Sequence, residues 1–442
     1  MIFKATLAAS VALISGALAA QELPRRGSLG VELAPSPDGL TVRSVLSPAA
    51  KAVLEPGDII LAINGVATPS TSSLQEATHK LPNGEAVPVK IRRDGVEQDL
   101  ELVTTPRPMP SVEGAAITYG TATAPSGLRV RTVTVVPEES ALGGDKGLPA
   151  VFMIQGITCR SIDGIGGESN AYGAMARRLV AAGFVVSFAD KPGVGDSDGP
   201  ACNRGGFDAE LEGYTAAGKA LAALPMVDKA RVYGIGISMG GIQVPLVARE
   251  VDLAGIITWG TVVQPWGDYM ITNFPMRSML DTQASITEDA IELSDLRKIM
   301  ARALILEQSP EQIEREDPET YARYIQEFGA LDGFGGRSLA FHREVDNAPT
   351  PQAWEDYDGA LLAMHGEYDW VGTMADHRLA TALVTKDGEG SAQFEVVPGV
   401  DHGWTAHDTL DASFRAPFGG RPDRQFHERA VNWLTKIASE AR

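Results

Sequence analysis

Gly236-Ile237-Ser238-Met239-Gly240 sets a serine between small residues, where 231–237 reads as a strand and 241–249 can run as a helix. A hydroxyl at such a bend projects above a sheet, and the helix start offers its dipole and unpaired N–H groups to developing negative charge. That arrangement suits nucleophilic attack on a carbonyl. Gly195-Asp196-Ser197-Asp198-Gly199 has the same pattern but runs into Pro200 and a glycine-rich loop. Its two flanking carboxylates oppose an alkoxide, so it reads as a loop at a strand end.

A serine needs a base, and the base needs a carboxylate to orient it. Among seven histidines, His402 lies in the turn Pro398-Gly399-Val400-Asp401-His402-Gly403-Trp404, just past a strand-like run at 393–397. His407 is the runner-up. His365, His377 and His427 fall in or beside regular structure and read as packing or surface residues, and His79 and His342 precede the acid in the chain. For the acid, 360–366 reads as strand followed by turn, with Asp369 beyond its end; Glu367 is a substitute and Asp401 a weaker one.

The elements that must position these groups alternate. Apolar runs at 150–155, 184–189, 230–237, 254–259, 360–364 and 393–397 read as buried strands, with helical stretches at 172–182 and 210–224 between them. This predicts an α/β fold with a mostly parallel, doubly wound sheet. About a hundred residues (262–355) intervene between the fourth and fifth runs. They carry a capping box at 285–288 and helical spacing of Leu296, Ile299, Met300, Ala303 and Leu304, which predicts a helical cap over the strand ends.

Residues 114–442 resemble the α/β-hydrolases. The resemblance rests on the Ser238 bend, His365-Gly366-Glu367-Tyr368-Asp369, Asp401-His402-Gly403, and Asp190-Lys191-Pro192-Gly193-Val194-Gly195-Asp196-Ser197. It implies a Ser238, Asp369, His402 triad, with an oxyanion hole made by the backbone N–H groups of Ile157 and Met239. Gln155-Gly156-Ile157-Thr158 stands where the family usually has His-Gly. Cys159 and Cys202 follow what look like the family's third and fourth strands, neighbours in its sheet. A disulfide between them is therefore expected to brace the oxyanion loop.

Residues 26–105 read as a small β-rich module with turns at Asp38-Gly39, Asn64-Gly65 and Asp94-Gly95 and one helix near 71–81. Arg26-Gly27-Ser28-Leu29-Gly30-Val31 and Leu54-Glu55-Pro56-Gly57-Asp58-Ile59-Ile60 resemble a bacterial PDZ domain, with Val53 where many have glycine. The resemblance implies that Ser28, Leu29, Gly30 and Val31 form a loop for a peptide's C-terminal carboxylate, beside a strand edge open to β-augmentation. A module that only packs on the catalytic domain is the alternative. Residues 106–113, with prolines in alternate positions, read as an extended linker.

Lys4, an apolar run and Ala17-Leu18-Ala19 give residues 1–20 the form of a signal peptide, so a periplasmic or secreted protein is expected, without a membrane span in the mature chain. A net charge of −19 argues against nucleic acid as a partner. No His/Cys/Asp spacing suggests a metal, and no cofactor is expected. The expected activity is hydrolysis of carboxylic esters of a small acyl substrate through an acyl-enzyme. The alternatives are an exported serine peptidase or aminopeptidase, and a PDZ adaptor with an idle hydrolase domain.

Overall fold

The computed structural model describes residues 23–441 except 37–38, 139–146, 167–169, 281–285 and 417–418. The signal-peptide reading (1–20), Asp38 of the first turn signal and Ser285 of the capping box lie outside the described residues.

The N-terminal module is a six-stranded sheet: β1 (Val31–Ser36), β2 (Gly39–Val45), β3 (Ile59–Ile63), β4 (Ala86–Arg93) and β5 (Val96–Val103) lie in that order, the short strand Val66–Ala67 pairs with β3, and helix α1 (Thr71–Thr78) packs beside these two. The β4–β5 hairpin turns on Asp94-Gly95, where both residues have positive φ (49° and 79°), as a two-residue turn matched to the twist of its strands requires. Leu29, Val42, Ile60, Val89 and Leu102 are among the residues of its core. β1 lies at one edge of this sheet.

The larger sheet has eight strands. They are β6 (Ala115–Thr123), β7 (Arg129–Pro137), β8 (Leu148–Ile154), β9 (Val185–Ala189), β10 (Val227–Ile237), β11 (Gly255–Trp259), β12 (Ala360–Gly366) and β13 (Ser391–Val397). Their spatial order is β13-β12-β11-β10-β8-β9-β7-β6. Every pair from β9 to β13 is parallel, and β7 pairs antiparallel with both β9 and β6. Helices α2 (Ala171–Ala181), α3 (Phe207–Ala222), α4 (Met239–Ala248), α5 (Met374–Val384) and α6 (Gln425–Glu440) cover the two faces. This is why the parallel strands read as unbroken apolar runs: β9 and β11 are buried at every residue. The β6–β7 hairpin lacked so clear a signal, because β6 is buried only in part and mixes Thr, Tyr and Gly with its apolar residues.

Between β11 and β12 lies a helical cap. Leu296, Ile299, Met300, Ala303 and Leu304 are buried in it together with Phe341 and Val345, against Met239 and Ile242 of α4. The cap core therefore rests directly on the helix that starts at Ser238.

Ionic contacts tie the N-terminal module to the larger domain. Arg131 on β7 is buried among Asp163, Asp190 and Asp196 at 2.8, 2.7 and 3.1 Å. Arg107, just past the module, reaches Asp163 at 2.6 Å, and Arg25, just before it, pairs with Asp196. Burial lowers the pKa of Arg131, but the three carboxylates outweigh that and hold it above its ordinary value. Glu76 on α1 accepts from Arg204 and Asn203 at 2.7 and 2.9 Å. These sit beside Cys202, which is bonded to Cys159.

Among the described residues no helix is long and apolar enough to cross a membrane. The disulfide closes a loop between residues 43 apart, for which chain entropy gives about 4 kcal/mol. Thermal unfolding with and without reductant should therefore show a clear fall in midpoint on reduction. An unchanged midpoint, with both thiols proven free, would contradict this.

Candidate active site

Ser238 caps the N-terminus of α4 with φ 54° and ψ −120°, a region that costs a side-chain-bearing residue about 1–3 kcal/mol. Its N–H donates to the Trp259 carbonyl at 2.7 Å, which pins the bend to β11. The glycines of the motif answer to contact: a Cβ on Gly236 would lie 2.4 Å from the Gly240 carbonyl oxygen, and one on Gly240 would lie 2.3 Å from that of Ile154. Ser238 itself is only part-buried.

Asp369 and His402 are brought together, with His402 Nδ1 2.8 Å from Asp369 Oδ2. The second Asp369 oxygen accepts from the N–H groups of Val371 and Gly372, each at 2.8 Å. Burial works to raise the pKa of this carboxyl, but His402, His365 and the Gly372 N–H outweigh it and hold the group ionised well below the usual carboxylate range. The bond to Asp369 commits Nδ1 of His402 as the donor and leaves Nε2 as the basic nitrogen.

Gly260 is the hinge of this arrangement. It follows Trp259, has φ +62°, and a Cβ there would lie 2.4 Å from His402 Cε1 and 3.0 Å from Asp369 Oδ2. The imidazole thus packs on the backbone next to the carbonyl that holds the Ser238 N–H. The indole of Trp259 donates to the His402 carbonyl at 2.9 Å and steadies the loop from below.

The other candidates lie elsewhere. Glu367 is exposed and accepts from the Gly399 N–H, and Asp401 accepts from Gly403, Thr405 and His407, folding the His402 loop rather than entering the site. Ser197 is buried at 0% and accepts from the Arg131 N–H. Sequence reasoning passed over two neighbours. His365 Nδ1 lies 4.0 Å from Asp369 Oδ2, and the His365 ring meets that of His377. His377 Nε2 accepts from Thr261 N–H while Asp376 accepts from Val263 and Gln264, so the start of α5 clamps the loop after Gly260. Nothing in their spacing separates them from packing residues.

Ile157 and Met239 flank Ser238 from two sides. Met239 is the first residue of α4, whose N–H has no partner within the helix. A Cβ on Gly156 would lie 3.3 Å from Ser238 Cβ, so the loop carrying Ile157 runs beside the serine. In the N-terminal module the Gly30 N–H donates to Ser28 Oγ at 3.1 Å, and the Gly30 carbonyl accepts from Leu46 and Ser47.

The model of the family described as serine aminopeptidase, S33, matches residues 158–408, and a PDZ domain model matches 27–104. The chain belongs to the serine aminopeptidase S33 family, with an N-terminal PDZ domain. Ser238, Asp369 and His402 all fall inside the S33 match. No curated protein matches the chain by sequence. Among solved structures, a hypothetical protein from Pseudomonas aeruginosa is similar at 16% identity and a TM-score of 0.46, over 74% of this chain and 95% of its own. Est1E from Butyrivibrio proteoclasticus, with ferulic acid bound, is similar at 17% and 0.45, over 73% and 98%. A Pyrobaculum calidifontis esterase is similar at 15% and 0.43, over 74% and 87%.

Gly260→Ala should lower turnover by about 10²-fold or more, because a methyl there displaces the imidazole and suffers at positive φ. Wild-type turnover in that variant would contradict the packing described. The buried histidines also carry a pH signature. Burial pushes His365, His342 and His427 down to about 4 from an ordinary 6.5. Between those values the unfolded chain binds more protons than the folded one, so stability falls as the pH drops from 6.5 towards 4, by up to about 3 kcal/mol per group. Urea midpoints at pH 7, 5.5 and 4.5 should decline in step; a flat series would contradict it.

Proposed function

We propose that the protein is an exported serine hydrolase that cleaves carboxylic esters by acyl transfer, with Ser238 as nucleophile, His402 as base and Asp369 as its orienting carboxylate. The observation that carries this reading is the Asp369–His402 pair packed on Gly260, one residue from the carbonyl that holds the strained Ser238 bend.

The Ser238 hydroxyl gives its proton to His402 Nε2 as Oγ bonds to the substrate carbonyl carbon, and the carbonyl π pair becomes an oxyanion facing the Ile157 and Met239 N–H groups. Collapse expels the leaving oxygen, which takes the proton back from His402. Water then repeats the sequence on the acyl-enzyme and releases the acid. Asp369, ionised throughout, stabilises the imidazolium in both halves.

The family's description favours a second substrate class, peptides or amides with a free N-terminus. The same triad serves both, because His402 can protonate an amine as readily as an alkoxide. The PDZ domain is read as a peptide-binding module with β1 as the receiving edge, and the Cys159–Cys202 bond fits a periplasmic or secreted setting.

Ser238→Ala should lose about 10⁴-fold or more in ester turnover and all labelling by a fluorophosphonate, with the thermal midpoint kept. Equal labelling of the variant would end the assignment. Short-chain aryl esters assayed beside aminoacyl and prolyl arylamides rank the two classes: strong amide turnover with negligible ester turnover would replace the esterase reading by the peptidase one.

A further inference from the structure

Beneath the oxyanion loop lies a buried ionic cluster that the triad chemistry does not use. Lys191, two residues past the end of β9, is fully buried and donates through Nζ to the Gly156 carbonyl at 2.6 Å. The same ammonium lies 3.4 Å from Glu210 Oε2 on α3. The other Glu210 oxygen pairs with Arg337, which descends from the cap. Arg337 Nη1 donates to the Ile157 carbonyl at 3.0 Å, and its guanidinium lies 3.7 Å over the Phe341 ring. Gln243 of α4 adds a bond to Glu210 at 3.2 Å.

Two cations and one carboxylate leave a net positive charge in a dry site, and both cations end on carbonyls of the same loop. A cluster serving packing alone gains nothing from this, since apolar residues of equal volume are often as stable as buried ions. The peptide between Gly156 and Ile157 is planar and trans, so its C=O and N–H point in opposite directions. Whatever grips the Gly156 oxygen therefore aims the Ile157 N–H. A charge-assisted bond on that oxygen also polarises the peptide and makes its N–H a stronger donor.

We infer that Lys191, backed by Glu210 and Arg337, is a positioning residue of the oxyanion hole, holding the Gly156 carbonyl so that the Ile157 N–H is aimed and polarised towards the substrate oxyanion. The inference rests on Ser238 being the acylated nucleophile. It assigns the cap a second duty besides covering the site, because Arg337 carries the cap's hold on the loop. The effect belongs to the tetrahedral state, where charge resides on the oxygen, and is small in the ground-state complex.

The test compares the full chain with Lys191→Met, Arg337→Met and Arg337→Lys, measuring kcat and KM on an aryl ester, affinity for an arylboronic acid, and the thermal midpoint. Lys191→Met should lower kcat about 10–100-fold, with KM within about threefold, and weaken the boronic acid by a factor similar to kcat. Arg337→Lys keeps a cation on the loop and should recover about tenfold in kcat over Arg337→Met, a rescue that decides the matter should Lys191→Met fail to fold. Wild-type kcat in Lys191→Met, unchanged boronic-acid affinity beside a lowered kcat, or equal kcat in the two Arg337 variants overturns the inference. A wild-type protein that neither turns over ester or amide nor takes a fluorophosphonate at Ser238 overturns the hydrolase reading itself, and the inference with it.

Discussion

The structure depends on one strained residue. A serine at φ 54° does not stay there of its own accord; the surroundings must over-determine it. Here the Trp259 carbonyl takes its N–H, Gly236 and Gly240 permit backbone approaches that any side chain would block, and α4 leaves from the bend into a buried position. The order of the parallel strands follows from this need. β10 delivers the serine, β11 supplies the carbonyl and Gly260, β12 ends near Asp369, and the chain beyond β13 returns His402 to the same edge. Four strand ends in register bring together residues spread over 164 positions of sequence.

Electrostatics divides this edge into two halves. On the acid side Asp369 is buried yet ionised, because two N–H groups and an imidazole compensate the burial. On the side of the proposed oxyanion hole the Gly156 and Ile157 carbonyls accept from buried cations, and the chain just beyond them is braced by the Cys159–Cys202 bond. The PDZ domain attaches to that second half: its Glu76 accepts from Arg204 and Asn203 beside Cys202, Arg25 before it pairs with Asp196, and Arg107 after it pairs with Asp163. Lys191, which grips the Gly156 carbonyl, lies five residues before the Asp196 that Arg25 holds, so a short stretch of chain joins the PDZ anchorage to the Gly156–Ile157 loop.

The parallel sheet was legible because burial on two faces forces unbroken apolar runs, and the Asn-Gly and Asp-Gly turns because positive φ selects those residues. The β6–β7 hairpin was less legible, since β6 carries a mixed pattern. At the site, a serine in a glycine-framed bend, an acid past a strand end and a histidine in the following turn each have a positional signature. Gly260, His377, Glu210 and Arg337 have none: they come from a strand end, helices and the cap, and only packing makes them neighbours. Arg337 in particular looks like any polar residue after a Gly-Gly turn, yet it is 1% exposed and bonded to Ile157.

The most direct test of the central claim is a crystal structure of the phosphonylated protein. The account predicts phosphorus bonded to Ser238 Oγ, the phosphonyl oxygen about 3 Å from the Ile157 and Met239 nitrogens, and His402 Nε2 facing Oγ with Nδ1 still on Asp369. A phosphonyl oxygen turned to solvent, or an imidazole seated away from Ser238 with Asp369 engaged elsewhere, would contradict it.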